Sequence, residues 1–261
     1  MTTARPYRLG YNTNSWGRTP DLDVMLGDIA GAGWEGVEFI TLSLDWLGTP
    51  RHLSGLLEKH GLTASAMFGR LDTLGDDAEQ MLERERRRIE YAAELGCTAY
   101  PFTGPPRVVR RPPTEDEFKR LGELAETLID HAAGLGQILA FHAHPNCVVE
   151  TEAEQDRLLS YTDRLQVCVD VSVAALMRED AVAQLRKYRD RLGYVHMKDV
   201  APGKFCIMGR GMGLLDFGLI RETLLDIGYT GWVVGELGSG ADTGTVESCY
   251  ANREYLRSLG Y

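Results

Sequence analysis

Residues 137–145 read Gln-Ile-Leu-Ala-Phe-His-Ala-His-Pro, an apolar run that closes on two histidines one residue apart. Residues i and i+2 of a strand point to the same face, so His142 and His144 face one way if this run is a strand. Three later runs end in the same manner. LQVCVDV (165–171) brings Asp170, LGYVHMK (192–198) brings His196 and Lys198, and GWVVGE (231–236) brings Glu236. Upstream, YRLGYNT (7–13), EGVEFI (35–40), LTASAMF (62–68) and CTAYPFT (97–103) complete a set of eight. Helical patterns separate the runs, and strand–helix alternation specifies a parallel sheet. Eight repeats in 261 residues predict a single-domain α/β protein over 1–261, a (β/α)8 TIM barrel, whose usual size is about 250 residues.

The helices carry their own punctuation. Thr19-Pro20 and Thr49-Pro50 each offer a cap followed by a first-turn proline, and Thr114 with Glu117 and Thr151 with Glu154 form capping boxes. Glycine closes the helical patterns before several strands, as in Gly33-Trp34-Glu35-Gly36 and Gly228-Tyr229-Thr230-Gly231. The stretch PPRVVRRPP (105–113) is the most irregular and reads as a long loop.

The formal charge of −10 disfavours a surface that tracks phosphates, so no nucleic-acid partner is expected. Five scattered cysteines without a C-x-x-C pair suit a reducing compartment. No apolar run is long enough to span a bilayer, and the expected setting is cytoplasmic, away from membranes. A homodimer is compatible with such a barrel, although no segment marks an interface.

A barrel of this kind places its chemistry where strands end. Glu38, His142, Asp170, His196 and Glu236 all lie there. Imidazoles and carboxylates converging from separate strands make a divalent-metal site, with His142 or His144, Asp170, His196 and Glu236 as candidate ligands. Glu236 is the candidate base, or His144 if it is not a ligand, and Lys198 shares the inward face beside them. Trp16 and Asn14 close the first strand and are candidate substrate contacts, as is Glu38. The run Gly209-Arg210-Gly211-Met212-Gly213 lacks the context of a nucleotide loop and is expected to fold over the barrel mouth, where Arg210 would reach the substrate.

These motifs together resemble the xylose-isomerase-like TIM-barrel family of sugar isomerases, epimerases and related lyases. The carriers are GWEGVEF around Glu38, VCVD at Asp170, VHMKD at His196, GRGMGLLDF, and GYTGWVVGE ending at Glu236, which span nearly the whole chain. The resemblance implies a divalent ion, manganese first and cobalt, magnesium or zinc as alternatives, held by Glu, Asp, His and Glu. Asp170, His196 and Glu236 match that set, and His142 stands where the first glutamate belongs. A mechanism using two opposed glutamates is therefore in question.

The stretch FHAHPNCVVETEAEQDRL is similar to a segment of inosose dehydratases, although Val173 stands where many relatives have a histidine. The implied function is isomerisation or epimerisation of a keto sugar or cyclitol through proton removal beside the carbonyl. The alternative is dehydration of the same class of substrate, and a phosphodiester hydrolase is third.

Overall fold

The computed structural model describes residues 5–108, 111–202, 204–237 and 244–261. The sheet strands are β1 (Arg8–Asn12), β2 (Gly36–Phe39), β3 (Thr63–Met67), β4 (Gly69–Arg70), β5 (Ala99–Thr103), β6 (Ile138–His142), β7 (Gln166–Asp170), β8 (Leu192–Met197) and β11 (Trp232–Gly235). A short hairpin, β9 (Asp199–Ala201) with β10 (Lys204–Cys206), follows β8. The sheet runs in the order β3-β2-β1-β11-β8-β7-β6-β5-β4, with parallel pairing throughout.

Its two edges are halves of one bent strand. Phe68 interrupts the run predicted at 62–68, so β3 pairs with β2 and β4 pairs with β5. The Phe68 amide donates to Phe39 at 2.9 Å, and that of Leu71 to Thr103 at 2.9 Å, carrying the pairing across the break. Nine segments thus fill the eight positions of the barrel.

Period-2 alternation divides the residues into two layers. Leu139 and Phe141, Val167 and Val169, Val195 and Met197, and Val233 face outward to the helices and are buried. The opposite face supplies the barrel interior, where Ala66, Ala99, Ala140, Cys168 and Val234 surround Tyr194. These small residues leave room for the Tyr194 ring, whose hydroxyl donates to Ser65 Oγ at 2.9 Å. Two residues further along the same inward rows stand His142, Asp170, His196 and Glu236, at the C-terminal ends of the strands.

At the other end of the barrel, Trp232 closes the interior against Gly36. A Cβ at Gly36 would lie 2.5 Å from the Trp232 ring and 2.9 Å from the Thr63 carbonyl oxygen. Gly36→Ala should therefore cost about 1–3 kcal/mol of overpacking. An unchanged urea midpoint would show that the strand shifts freely there.

The helices are α1 (Leu22–Ala32), α2 (Leu44–Leu47), α3 (Pro50–Lys59), α4 (Ala78–Glu94), α5 (Glu115–Ala133), α6 (Glu152–Leu159), α7 (Val171–Leu176), α8 (Ala181–Lys187), α9 (Phe217–Asp226) and α10 (Thr245–Ser258). Thr49 caps α3 with Pro50 in its first turn, and both predicted capping boxes form at Thr114 and Thr151. At α1 the cap is Asp21 rather than Thr19, because the Asp21 carboxylate accepts from the Asp23 and Val24 amides. Gly33 ends α1 at φ 90°, a left-handed conformation that a Cβ would penalise.

The stretch 105–113 is irregular where described, and Arg107 fixes it to the Cys147 carbonyl and to Glu154. All five cysteines are free. Among the described residues no helix is long and apolar enough to cross a membrane.

Candidate active site

Four inward rows and the turn after β1 meet at one cavity of about 430 Å³ at the C-terminal end of the barrel. Asn14, His142, His144, His196, Lys198 and Glu236 line it. Buried charge is costly unless paired, so the pairing decides what these groups can do.

His196 is positioned from beneath. Its Nε2 donates to Glu38 Oε2 at 2.8 Å, and the same oxygen accepts from Asn12 Nδ2 at 3.0 Å. Glu38 is fully buried, and it holds the imidazole rather than facing the cavity. The other ring nitrogen, Nδ1, is buried without a hydrogen-bond partner among the described residues and lies 3.6 Å from Glu236 Oε2. A histidine whose outer nitrogen is held by a carboxylate while the inner one is open is the usual arrangement of an imidazole metal ligand. Burial disfavours the imidazolium, but Glu38, Glu236 and Asp170 together hold the His196 pKa above its ordinary value.

Asp170 closes β7 and caps α7. Its Oδ1 accepts from the Ser172 and Val173 amides at 2.9 and 3.2 Å and from the Ser172 hydroxyl. Its Oδ2 lies behind the cavity lining, 2.6 Å from Lys198 Nζ and 3.2 Å from His142 Nε2. Burial alone would raise the Asp170 pKa, but Lys198 and His142 outweigh it and hold the carboxyl well below the usual range. Glu236 follows β11, with Oε2 3.1 Å from Lys198 Nζ and Oε1 3.5 Å from Asn14 Nδ2. Against burial, Lys198 and then His196 keep its pKa low.

Asp170, His196 and Glu236 each bring a ligand atom within 4.8 Å of the others, and this oxygen–nitrogen–oxygen set fits a divalent ion. His142 is adjacent to it but differently engaged. Its Nε2–H donates to Asp170, one of its ring nitrogens lies within 4.8 Å of ligand atoms of Cys168 and His196, and burial lowers the pKa of the ring. The Cys168 thiol is pushed well above its ordinary pKa by burial and by Glu38, which disfavours a thiolate ligand.

His144 lies beyond the end of β6 and is exposed, its ring centroid 5.6 Å from that of His142. Its Nδ1 is 2.9 Å from the Pro145 carbonyl oxygen. A carbonyl only accepts, so Nδ1 carries the proton and Nε2 keeps a lone pair. Desolvation of the ring among its neighbours and the adjacent His142 lower its pKa to about 4, leaving the ring neutral near pH 7.

Two sequence candidates lie apart from this cluster. Trp16 packs edge-on to Tyr11 at 5.9 Å, and the exposed Arg210 approaches Glu247 at 3.9 Å; among the described residues neither lines the cavity. The glycine-dense loop is tied down by Asp199, whose Oδ2 accepts from the Gly209 and Gly211 amides at 3.0 Å each. Asp216 caps α9 and Phe217 is buried.

The opposite wall holds Phe68, one of the aromatics near strand ends, and Glu85, which the strand ends do not point to. Phe68 stacks on His196 at 5.8 Å and meets His142 edge-on at 5.5 Å. Glu85 is buried on α4, where its Oε2 accepts from the Tyr100 hydroxyl at 2.8 Å and the Arg70 amide at 3.1 Å. Its signal was present: Glu85 is a lone charge among Met81, Leu82, Ile89 and Ala92 on the buried stripe of that helix.

A family model described as "Xylose isomerase-like TIM barrel" matches residues 26–257. An inosose dehydratase from Geobacillus kaustophilus is 29% identical over an alignment covering 90% of this chain and 88% of that protein. A rhizopine catabolism protein from Rhizobium meliloti is 29% identical over 84% and 75% of the two chains. The structure of an L-ribulose 3-epimerase superposes with TM-score 0.83 at 20% identity, covering 97% of this chain and 94% of that one. A D-allulose 3-epimerase from Methylomonas sp. gives 0.81 at 17%, over 99% and 100%.

Proposed function

Because the chain belongs to the xylose isomerase-like TIM barrel family, we propose that it removes the proton beside the carbonyl of a keto-cyclitol or keto sugar and completes the reaction by loss of water. The observation that carries this reading is His144. Its Nδ1–H is committed to Pro145, so Nε2 offers the cavity a neutral base.

His144 takes the proton, and the electron pair left on carbon forms the enediolate. Expulsion of the β-hydroxyl then uses that pair, and the His144 imidazolium returns its proton to the departing oxygen as water. Lys198, kept as an ammonium by Asp170 and Glu236 despite its burial, faces the oxygens on which negative charge grows. Asp170, His196 and Glu236 would hold a divalent ion, with His142 bracing Asp170, and such an ion supplies positive charge to the carbonyl and neighbouring hydroxyl oxygens. Manganese remains the expected ion, with cobalt, magnesium or zinc as alternatives.

Isomerisation or epimerisation, ranked first from the sequence, shares the first step. Inversion at carbon requires proton exchange on both faces. The other candidate bases are already engaged, the Glu236 carboxylate by Lys198 and His142 by Asp170. That asymmetry, with the inosose dehydratase relatives, favours elimination.

Incubation of the manganese-supplemented enzyme with inososes, ketohexoses and ketopentoses in D₂O tests the reading. An inosose should give a product lighter by one water. Recovery of a substrate inverted at one carbon, without water loss, would make the enzyme an epimerase. Neither exchange nor product with any of them, alongside cleavage of a phosphodiester, would end the carbonyl reading.

A further inference from the structure

Lys198 contacts the two carboxylates that an ion would need. Its Nζ is 2.6 Å from Asp170 Oδ2 and 3.1 Å from Glu236 Oε2, and it lies 4.6 Å from the centroid of the Phe205 ring. The side chain is buried, so water cannot screen it from either oxygen or from a second cation.

A small dication binds carboxylate oxygens at about 2.0–2.6 Å. It cannot do so at both oxygens while an ammonium keeps its own hydrogen bonds to them, since the two cations would meet at close range in a poorly screened site. The charge balance sharpens the conflict. Asp170 and Glu236 carry two negative charges, which a dication alone neutralises and which a dication plus Lys198 overcompensates. Glu38 lies on the far side of the imidazole, its Oε2 accepting from His196 and Asn12, so its charge does not separate the two cations at the oxygens they would share.

We propose that Lys198 is a tethered competitor for the ion site: an ion enters Asp170, His196 and Glu236 only as the ammonium withdraws from both carboxylates, with Phe205 as its retained partner. The inference rests on the reading of those three residues as an ion site. The β9–β10 hairpin carries Phe205, and Asp199 anchors it to the glycine-dense loop, so the withdrawn ammonium meets a fixed aromatic face. Lys198 then sets ion affinity from inside the site and acts as a positioning residue for the cation.

The test is Mn²⁺ affinity by calorimetry for the wild type, Lys198→Met, Phe205→Leu and the double variant, with thermal midpoints taken with and without Mn²⁺. Lys198→Met should bind Mn²⁺ at least about tenfold more tightly than the wild type, and Mn²⁺ should raise its midpoint by more. Phe205→Leu should weaken binding a fewfold when Lys198 is present and leave it unchanged in the Lys198→Met background, the signature of a coupled pair.

If Lys198→Met depends on Mn²⁺ to fold, the midpoint series still reports the same preference. Equal or weaker binding by Lys198→Met, with the wild type binding normally, overturns the competition alone. Absence of Mn²⁺ binding in both the wild type and Lys198→Met overturns the ion site itself and the competition with it.

Discussion

Asp170→Asn should lose divalent-ion binding and at least about 10³-fold in turnover, with an unchanged far-UV dichroism spectrum. The substitution separates the two jobs of this side chain. Oδ1 accepts from the amides of Ser172 and Val173, and an amide oxygen keeps that cap, so α7 has no reason to unravel. Oδ2 is the charged acceptor shared by Lys198 and His142, and an amide there offers no anion to a cation. Loss of one preorganised electrostatic contact commonly costs 10²–10³ in rate, and the ion would go with it. Ion affinity and turnover near the wild-type values would remove Asp170 from the site. Loss of ellipticity would show instead that its main task is structural.

Much of this arrangement was legible because strands alternate with period 2. Once Ala140 is interior, His142 is interior too, and the same step carries Cys168 to Asp170, Tyr194 to His196 and Val234 to Glu236. Alternation gives a face but not a depth. Glu38 sits on an inward row yet lies beneath His196, because its carboxylate is claimed by the imidazole and Asn12 before it reaches the cavity.

Features set by loops or by bends were not legible. The break at Phe68 turns one apolar run into two segments and places an aromatic ring against His142 and His196. No local pattern in LTASAMF marks it. Arg210 was expected at the mouth because of its glycine neighbours, but backbone contacts to Asp199 fix that loop and Arg210 is exposed beside Glu247. Thr19 and Asp21 both offer a helix cap, and the outcome depends on where the chain leaves the turn after Trp16, which composition does not reveal.

His144→Gln should keep ion affinity and lose about 10²–10⁴-fold in turnover, the usual contribution of a general base. Glutamine preserves polarity and much of the volume but has no lone pair basic enough to accept a carbon-bound proton. The pH dependence provides a second readout. With a folded pKa of about 4, His144 is neutral and competent above that value and becomes protonated as pH falls through it, so the wild-type rate should decline on that side. In the unfolded chain the same ring protonates near 6.5. Its contribution to stability is therefore complete above that pH and is lost as pH falls toward 4.

His144→Gln should flatten both effects, whereas a purely packing role would change stability and leave the acid limb of the rate profile in place. The neighbouring histidine gives the contrast. His142 donates to Asp170 and stands where the resemblance places a glutamate, so His142→Glu should retain the ion. If instead the ion is lost in His144→Gln, His144 is a ligand, and the base must be sought in Glu236, with its proton-accepting oxygen released only when Lys198 moves away.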